Sequence, residues 1–411
     1  MACPVHQTYA AVTLHSPPEP SPLENLLAIS LLRLGTDTSA ARAYKDLCAG
    51  RANDPISAER VVAALGETGA RLFVARQQAA RALADSAGLR ADILAVIDPR
   101  YPERLRHIAD PPLVLWMLGQ SDALHGPLLA VIGSRYPTTT GLMVARRLSS
   151  ELAQAGLTVV SGLARGIDGA AHRAAITAGG RTVAVLGSGP DVVYPAEHRE
   201  LFEAVRQSGA IVTEFPPGTR PIPRHFPLRN RIISGLSQAV VVVEASEKSG
   251  TLITARAALE QGRDVLAVPG SVLSGCYRGC HALIKDGARL VETVDDILEE
   301  LGRPRRGHPD GQTADKALFP KNLRDAFPSG DTVTVDELAL RTSRPVADWL
   351  RQLAVLEVAG LVARVPGGGY VRVDGPATYI RGQAPPTRKE TGSRHAEGSG
   401  RGRIAREGKD H

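Results

Sequence analysis

Leu128-Leu-Ala-Val-Ile-Gly-Ser-Arg135 is the stretch that decides the fold. Its five consecutive apolar residues do not alternate with polar ones, which is typical of a strand that is buried on both faces. Small residues end the run, and a helical pattern follows over Gly141–Ala155. A strand, a short turn and a helix in this order predict the first unit of a parallel α/β sheet.

The same alternation of strand and helix continues toward the C-terminus. Further apolar strands are expected at Leu157–Ser161, Thr182–Leu186, Ala210–Thr213, Ala239–Glu244 and Asp264–Val268. Helices are expected between most of them, at Asp168–Ala178, Glu197–Ser208 and Thr251–Gln261. This pattern predicts an α/β domain over residues 123–301, with a doubly wound parallel sheet that carries helices on both faces.

The segment before this domain has a different pattern. Residues 1–20 are rich in Pro and are expected to form a disordered lead. Residues 21–122 are rich in Ala, Leu and Arg, with apolar spacings of three and four that predict a small helical domain. Its end, Ile108–Gly119, is expected to turn into a short strand.

A second small domain is predicted after the sheet. Residues 302–330 are polar with Pro and Gly, and are interpreted as a linker. Residues 331–374 show the helix, helix, hairpin order of a winged helix, with helices at Val333–Leu340 and Pro345–Ala359 and a hairpin from Leu361–Val365 to Tyr370–Val373. Residues 375–411 are expected to form a disordered basic tail.

The charge of the chain is concentrated at its end. Residues 375–411 hold 8 Lys and Arg against 4 Asp and Glu, and so carry +4 of the net charge of +6. The rest of the chain is nearly neutral, so any nucleic-acid site there must be a local basic patch.

The N-terminus and the apolar stretches indicate a cytoplasmic protein that does not span a membrane. Residues 1–16 show neither a basic n-region nor an apolar h-region, so no signal peptide is expected. The most apolar stretches, Pro111–Leu118 and Ala239–Ala245, are far shorter than the roughly 20 residues that a membrane span needs.

The four cysteines do not predict a disulfide framework in a chain of 411 residues. Cys276, Cys280 and His281 resemble half of a metal site, but no second compact Cys/His pair completes a tetrahedral set. Two buried or half-buried thiols are the favoured interpretation, and no metal is expected.

Small residues, hydroxyls and cations recur where the predicted strands end. They lie in Gly133–Arg135, Ser161–Asp168, Gly187–Asp191 and Ser246–Thr251. Ligands of a doubly wound sheet bind at these carboxyl ends, and backbone N–H groups beside a cation form an anion site. Neither G-x-G-x-x-G after the first strand nor G-x4-G-K-[ST] is present, so no nucleotide cofactor is expected.

The segment Arg220–Arg231 contains four arginines, one histidine and Phe226, without an acidic residue. Arginine binds phosphate oxygens in pairs, and an aromatic ring stacks on a base of any identity. This segment therefore favours single-stranded nucleic acid, although a solvated loop with Phe226 packed in the core remains an alternative. Asn230 is equally compatible with a structural role in a turn.

The sequence contains no evident catalytic constellation. Asp168 and His172 are four residues apart on one predicted helix, where a histidine on the helix surface is more common than an acid/base pair. Glu214 and Glu244 end predicted strands and are open to ribose or metal binding. No nucleophile, base and orienting group occur together, so no enzymatic activity is expected.

A series of motifs in order resembles the DprA/Smf DNA-processing family over Pro127–Leu301. The series comprises Gly133-Ser-Arg, Ser161-Gly-Leu-Ala-x-Gly-Ile-Asp168, His172, Ala184-Val-Leu-Gly187, Gly189-x-Asp191, Tyr194-Pro195, Phe226-Pro-x-Arg-Asn-Arg-Ile-Ile-Ser-Gly-Leu-Ser237, Val242-Val-Glu-Ala245, Ser249-Gly-Thr-Leu-Ile-Thr254 and Ala267-Val-Pro-Gly270. The helical N-terminal domain, of SAM/HhH-like type, and the winged-helix-like end resemble appendages of the same family.

The resemblance implies an extended Rossmann fold in a homodimer that binds and protects single-stranded DNA. It also implies loading of RecA and displacement of single-strand binding protein during natural transformation. On the matching positions it assigns phosphate binding to Ser134, Arg135, Arg165, Arg229, Arg231, Ser249, Gly250 and Thr251, and base stacking to Phe226. To these positions we add Gly166, Arg224, Asn230 and Lys248, which lie in the same segments.

Two other functions are compatible with the pattern. Nucleoside-monophosphate phosphoribohydrolases share a Gly-Thr turn at a sheet edge, but Thr254 stands where their catalytic carboxylate is expected. A duplex-DNA regulator would use the winged helix, whose second helix carries Arg351 together with Asp348 and Glu357.

Overall fold

The computed structural model of this chain describes residues 21–33, 69–304, 327–328, 331–358, 362–365 and 367–372. Helices and strands are numbered in chain order over these residues. The predicted lead of residues 1–20, the predicted tail of residues 375–411 and most of the predicted linker lie outside the described residues.

A nine-stranded sheet forms the body of the molecule. Its strands are β1 Asp92–Ala95, β2 Val114–Gly119, β3 Leu128–Ile132, β4 Thr158–Ser161, β5 Thr182–Val185, β6 Ala210–Thr213, β7 Ala239–Val242, β8 Asp264–Ala267 and β9 Arg289–Leu290. They are arranged in the order β1-β2-β6-β5-β4-β3-β7-β8-β9. β2 pairs antiparallel with both of its neighbours, and the other pairs are parallel.

Helices cover both faces of this sheet. They are α1 Pro22–Arg33, α2 Gly69–Leu89, α3 Glu103–Arg106, α4 Thr139–Gln154, α5 Ile167–Thr177, α6 Arg199–Ser208, α7 His225–Leu236, α8 Thr251–Glu260, α9 Arg278–Lys285 and α10 Val294–Glu300. In β3, Leu128 and Ala130 belong to one apolar core, whereas Leu129 and Val131 belong to the core on the opposite face. The predicted Rossmann-like doubly wound sheet is thereby confirmed.

The sheet also includes two strands from the segment that was predicted to be a helical domain. β2 is the strand expected near Ile108–Gly119, whereas β1 was not predicted. Trp116 on β2 is fully buried, and its indole N–H donates to Ser86 Oγ on α2 at 2.8 Å. The helical segment is thus joined to the edge of the sheet, and the predicted boundary at residue 122 falls after two of its strands.

The order of the strands defines one switch point. From β3 the chain builds outward through β4, β5 and β6, and then returns to place β7 on the other side of β3. The carboxyl ends of β3 and β7 therefore border the crevice where open α/β sheets bind their ligands. Gly133–Arg135 follow β3 there, and Glu244–Thr251 follow β7.

The C-terminal elements have the winged-helix order. They are β10 Thr332–Val333, α11 Val335–Thr342, α12 Val346–Val358, β11 Val362–Arg364 and β12 Tyr370–Arg372, with sheet order β10-β12-β11. The buried Trp349 lies at the centre of their core, and its indole N–H donates to Thr342 Oγ1 at 2.8 Å. The two helices and the hairpin were predicted. The short strand β10 was not, and it takes Val333 out of the predicted helix.

Among the described residues, no helix is both long enough and apolar enough to cross a membrane.

Candidate nucleic-acid interface

The turn after β3 is held against the ends of β7 and α5. The Ser134 amide donates to the Glu244 carbonyl at 2.8 Å, and the Ile167 amide donates to the Ser134 carbonyl at 3.1 Å. Gly166 has φ +76°, and a Cβ at this position would lie 2.3 Å from the Ser134 carbonyl oxygen. Only glycine permits so close an approach in this conformation. The turn is therefore rigid, and it leaves the Arg135 side chain exposed.

Arg135 and Phe226, which the sequence analysis placed in one site, lie together. The Arg135 guanidinium carbon is 5.5 Å from the centroid of the Phe226 ring. Tyr194 lies on the same ring at 5.5 Å between centroids, with the planes tilted by 43°. Phe226 is half-buried, and a Cβ on Gly187 would approach its Cδ1 to 3.1 Å. A cation and a partly exposed aromatic ring thus lie side by side at the carboxyl ends of the strands.

Arg229 is directed into the sheet and is only 4% exposed. Its Nη1 donates to the Gly162 carbonyl at 2.8 Å and to the Val185 carbonyl, so it bridges the ends of β4 and β5. Burial lowers the pKa of Arg229 to about 10, although the nearby Asp168 raises it. Burial also raises the pKa of Asp168, whose Oδ2 accepts from the Gly162 amide at 3.1 Å.

Arg231 is held on another side of the same helix. Its Nη1 and Nη2 donate to the two carboxylate oxygens of Glu214, both at 2.7 Å, and its Nε donates to the Asp110 carbonyl at 3.0 Å. Burial alone would lower the pKa of Arg231, but Glu214 and Asp110 more than compensate, so the pKa is raised. All of its guanidinium nitrogens are therefore occupied by protein groups.

The positions of Arg229 and Arg231 differ from the sequence-based expectation that both face phosphate. The expectation treated Arg220–Arg231 as one basic stretch, whereas His225–Leu236 form helix α7. Residues two apart on a helix do not face the same side. The two guanidinium groups consequently diverge. All three nitrogens of Arg231 are bonded by the fold, whereas Arg229 bonds through Nη1 and its buried Nε has no hydrogen-bond partner among the described residues.

The other side chains that were expected near phosphate are at least partly open to solvent. Arg224 is exposed at the start of α7, and Asn230 is half-buried one helical turn after Phe226. Arg165 is exposed after β4, and its Nε donates to the carboxylate of the equally exposed Glu197. The pKa of Arg165 is raised by its hydrogen bond to Glu197.

The turn Lys248–Thr251 lies at the end of β7, beside the β3 turn. Ser249 Oγ donates to Thr251 Oγ1 at 2.9 Å and accepts from the Thr251 amide at 3.2 Å. Lys248 and Gly250 are exposed, and Thr251 is buried at the start of α8. Within the described residues no hydrogen bond joins this turn to Arg135, although both follow strands that border the crevice.

The acidic and histidine side chains of interest have structural partners. Glu244 is buried, and its Oε2 accepts from the Thr138 hydroxyl at 2.6 Å and from the Thr138 amide at 3.0 Å. His172 is fully buried, with Nδ1 2.7 Å from Thr182 Oγ1, and burial lowers its pKa to about 3. The expectation of a histidine on the helix surface was therefore wrong, because α5 packs this face against the sheet.

Cys276 and Cys280 differ in how deeply they are buried. Cys280 is buried, and burial raises the pKa of its thiol to about 11, whereas Cys276 is half-buried. His281 Nε2 lies 3.1 Å from the Gly270 carbonyl. Among the described residues, no group of three His, Cys, Asp or Glu side chains is placed to hold a metal ion.

Three residues of this region were missed by the sequence analysis. Tyr136 is 83% exposed and directly follows Arg135, and Tyr194 contacts the ring of Phe226. Glu197 pairs with Arg165. Tyr136 could have been found from the sequence, because it is an aromatic residue next to an arginine at the end of a strand. The contact of Tyr194 with Phe226 and that of Glu197 with Arg165 form only in the folded chain.

Comparisons with known proteins agree with this architecture. The family model of DNA recombination-mediator protein A matches residues 92–302, and that of the DprA winged helix domain matches residues 327–368. Protein Smf of Escherichia coli is 45% identical over 284 residues, which cover 66% of this chain and 75% of that protein. The putative DNA processing protein DprA of Mycobacterium tuberculosis is 43% identical over 265 residues, covering 63% of this chain and 68% of that protein.

A solved structure shows the same similarity. The X-ray structure of DNA processing protein A from Streptococcus pneumoniae matches with a TM-score of 0.60 and 36% identity, covering 67% of this chain and 97% of that one. The two family models match from residue 92, where β1 begins, to residue 302 and then from residue 327 to residue 368 in the winged helix. This chain belongs to the DNA recombination-mediator protein A family, the DprA/Smf proteins.

Proposed function

We propose that this chain binds and protects single-stranded DNA in the cytoplasm and loads RecA onto it during natural transformation and DNA processing. The observation that carries the proposal is the exposed Arg135 guanidinium over the half-buried Phe226 ring at the switch point of the sheet. A phosphate and its neighbouring base require such a cation and such a ring within one nucleotide's reach.

We divide the predicted site residues into two groups by the contacts that they make, and we propose a different role for each group. We assign phosphate and backbone contact to the members at or near the solvent-facing edge, namely Ser134, Arg135, Arg165, Gly166, Arg224, Asn230, Lys248, Ser249, Gly250 and Thr251. Arg229 and Arg231 are assigned a positioning role, because their guanidinium groups bond protein carbonyls and carboxylates. Phe226 is assigned to base stacking.

A single strand suits this edge better than a duplex. The ring of Phe226 offers stacking to an unpaired base, whereas the bases of a duplex are already stacked on each other. The winged helix gives little support for duplex reading, because Arg351 on α12 is paired with Asp348 at 2.6 Å. A gel shift with matched single- and double-stranded probes distinguishes the two, and a duplex preference would favour a regulator.

RecA, single-strand binding protein and a second copy of the chain are the partners that we propose. The support is membership of the family. Two proteins that are similar to this chain are named as DNA processing protein A, or DprA. Size-exclusion chromatography tests the homodimer. Assembly of RecA filaments on DNA that is coated with single-strand binding protein tests the other two partners.

We propose no enzymatic activity for this site. Thr254, at the position of the carboxylate of the phosphoribohydrolases, is 3% exposed within α8, and Glu244 already accepts bonds from Thr138. An assay for free base released from AMP tests this point, and robust turnover would replace the proposal with the hydrolase function.

The central test is a salt titration of oligothymidine binding by Arg135→Ala. The variant is expected to bind about tenfold more weakly, and its log–log salt slope should fall by about 1, because one phosphate contact is lost. Arg181→Ala is the matched control, since Arg181 is also exposed but precedes β5, at the end of the strands opposite to the crevice. Equal binding by wild type and Arg135→Ala would place the DNA elsewhere.

Glu197 is expected to compete with phosphate for Arg165. The Glu197→Gln variant should bind oligothymidine about two- to fivefold more tightly at low salt, because an exposed ion pair of modest strength no longer has to be broken. Glu203→Gln is the control, as Glu203 is similarly exposed and pairs with Arg206 on α6. Unchanged or weaker binding by Glu197→Gln would remove Arg165 from the phosphate-contacting group.

A further inference from the structure

We propose that Tyr136 is a second stacking platform, which receives an unpaired nucleobase next to the base held by Phe226. The inference rests on the proposed binding of single-stranded DNA and extends it by one base. Tyr136 is 83% exposed, more than any other aromatic side chain among the described residues. An aromatic ring left this open at the edge of a ligand crevice retains its full face for stacking.

The backbone that carries this ring is rigid. The Tyr136 amide donates to Ser134 Oγ at 3.1 Å, and the next residue, Pro137, has a fixed φ. Thr138 is then anchored to the Glu244 carboxylate by its amide and its hydroxyl. A ring on a rigid turn needs only its own side-chain torsions to be ordered on binding, so stacking costs little conformational entropy.

The cations around Tyr136 connect it to the Phe226 ring. Arg135, its neighbour in the chain, lies over Phe226, whose other ring contact is Tyr194. Arg165 is exposed, and the next residue, Gly166, packs against the turn that carries Tyr136, since a Cβ on Gly166 would lie 2.3 Å from the Ser134 carbonyl oxygen and 2.8 Å from Pro137 Cδ. Each nucleotide presents one phosphate and one base. Two exposed arginines and two aromatic rings, carried by adjoining turns, therefore suit two successive nucleotides of a single strand.

The ligand of this platform is a nucleobase of any identity. Among the described residues the Tyr136 side chain makes no hydrogen bond, and its polar contact is through the backbone amide. Base–aromatic stacking is tolerant of sequence, since every base has a π-face. The platform thus adds affinity and length to the site without adding sequence preference.

The test compares oligothymidine with an abasic oligonucleotide of equal length and equal phosphate number. Tyr136→Ala is expected to weaken binding of oligothymidine about five- to tenfold, and to leave binding of the abasic strand unchanged. Tyr136→Phe should bind both strands like wild type, because it keeps the ring. Phe73→Ala, in the distant helix α2, is the control for loss of an exposed aromatic ring, at 63% exposure.

The outcomes separate this inference from the proposed function. Tyr136 is exposed, so Tyr136→Ala should unfold at the wild-type temperature, which a thermal melt verifies. Undiminished binding of oligothymidine by Tyr136→Ala, or an equal loss on both strands, would refute the platform alone. Failure of the wild type to bind either strand would refute the proposed function and the platform with it.

Discussion

Arg229→Ala is expected to lower the free energy of unfolding by about 3–5 kcal/mol, because it leaves the buried Asp168 carboxylate without a compensating cation and two carbonyls without their donor. Asp168 is 7% exposed, and Arg229 is the cation that offsets its burial. The substitution also removes the donor to the Gly162 and Val185 carbonyls at the ends of two central strands. Denaturant unfolding followed by circular dichroism measures the loss.

Arg224→Ala is the matched control, because Arg224 is exposed one residue before the same helix. It should leave the free energy of unfolding within about 0.5 kcal/mol of wild type. Asp168→Asn in the Arg229→Ala background should restore part of the stability, since it removes the unpaired buried charge. A folded Arg229→Ala with wild-type stability but weak DNA binding would instead make Arg229 a phosphate ligand.

The buried Asp168 carboxyl also makes the effect of Arg229→Ala depend on pH. Burial raises the folded-state pKa of Asp168 above its ordinary value, so the protonated carboxyl favours the folded state and that stabilisation is lost as the pH rises. Without Arg229 the pKa of Asp168 should rise further. The difference in unfolding free energy between wild type and Arg229→Ala is therefore expected to be smaller at acid pH than at neutral pH.

Phe226→Ala is expected to weaken binding of single-stranded DNA on the order of 10- to 100-fold. One base–aromatic stack contributes about 1–3 kcal/mol, and the ring also supports the Arg135 guanidinium at 5.5 Å. Fluorescence anisotropy of labelled oligothymidine, at two salt concentrations, measures the loss. The salt slope should change little, because the substitution removes a ring and not a charge.

Two further variants test whether the ring itself is responsible. Phe226→Tyr should bind like wild type, since it keeps the aromatic face, whereas Phe226→Leu should bind nearly as weakly as Phe226→Ala. Leucine fills much of the space beside Gly187 and so preserves the packing of the turn. Wild-type affinity in Phe226→Leu would show that Phe226 is a core residue, which was the alternative for this segment.

Much of the sheet was predictable, because an uninterrupted apolar run leaves a strand no favourable place except between two layers of helices. The run Leu128–Ile132 shows this most clearly, with alternate side chains in opposite cores. β1 escaped prediction because its four residues, Asp92–Ala95, are too short to show a period. Its place at the edge depends on pairing with β2.

Local sequence determined which residue types reach the ligand edge of this protein, because every parallel strand delivers its following residues to the same side. Gly133-Ser134-Arg135 was identified on this basis, and Phe226 was identified from the basic composition of its own segment. The fold brings Arg135 and Phe226 into contact. Which arginines remain free was decided by packing. Helix α7 turns Arg229 toward two strand ends and Arg231 toward Glu214, because neighbouring positions on a helix point in different directions and a buried guanidinium must find acceptors.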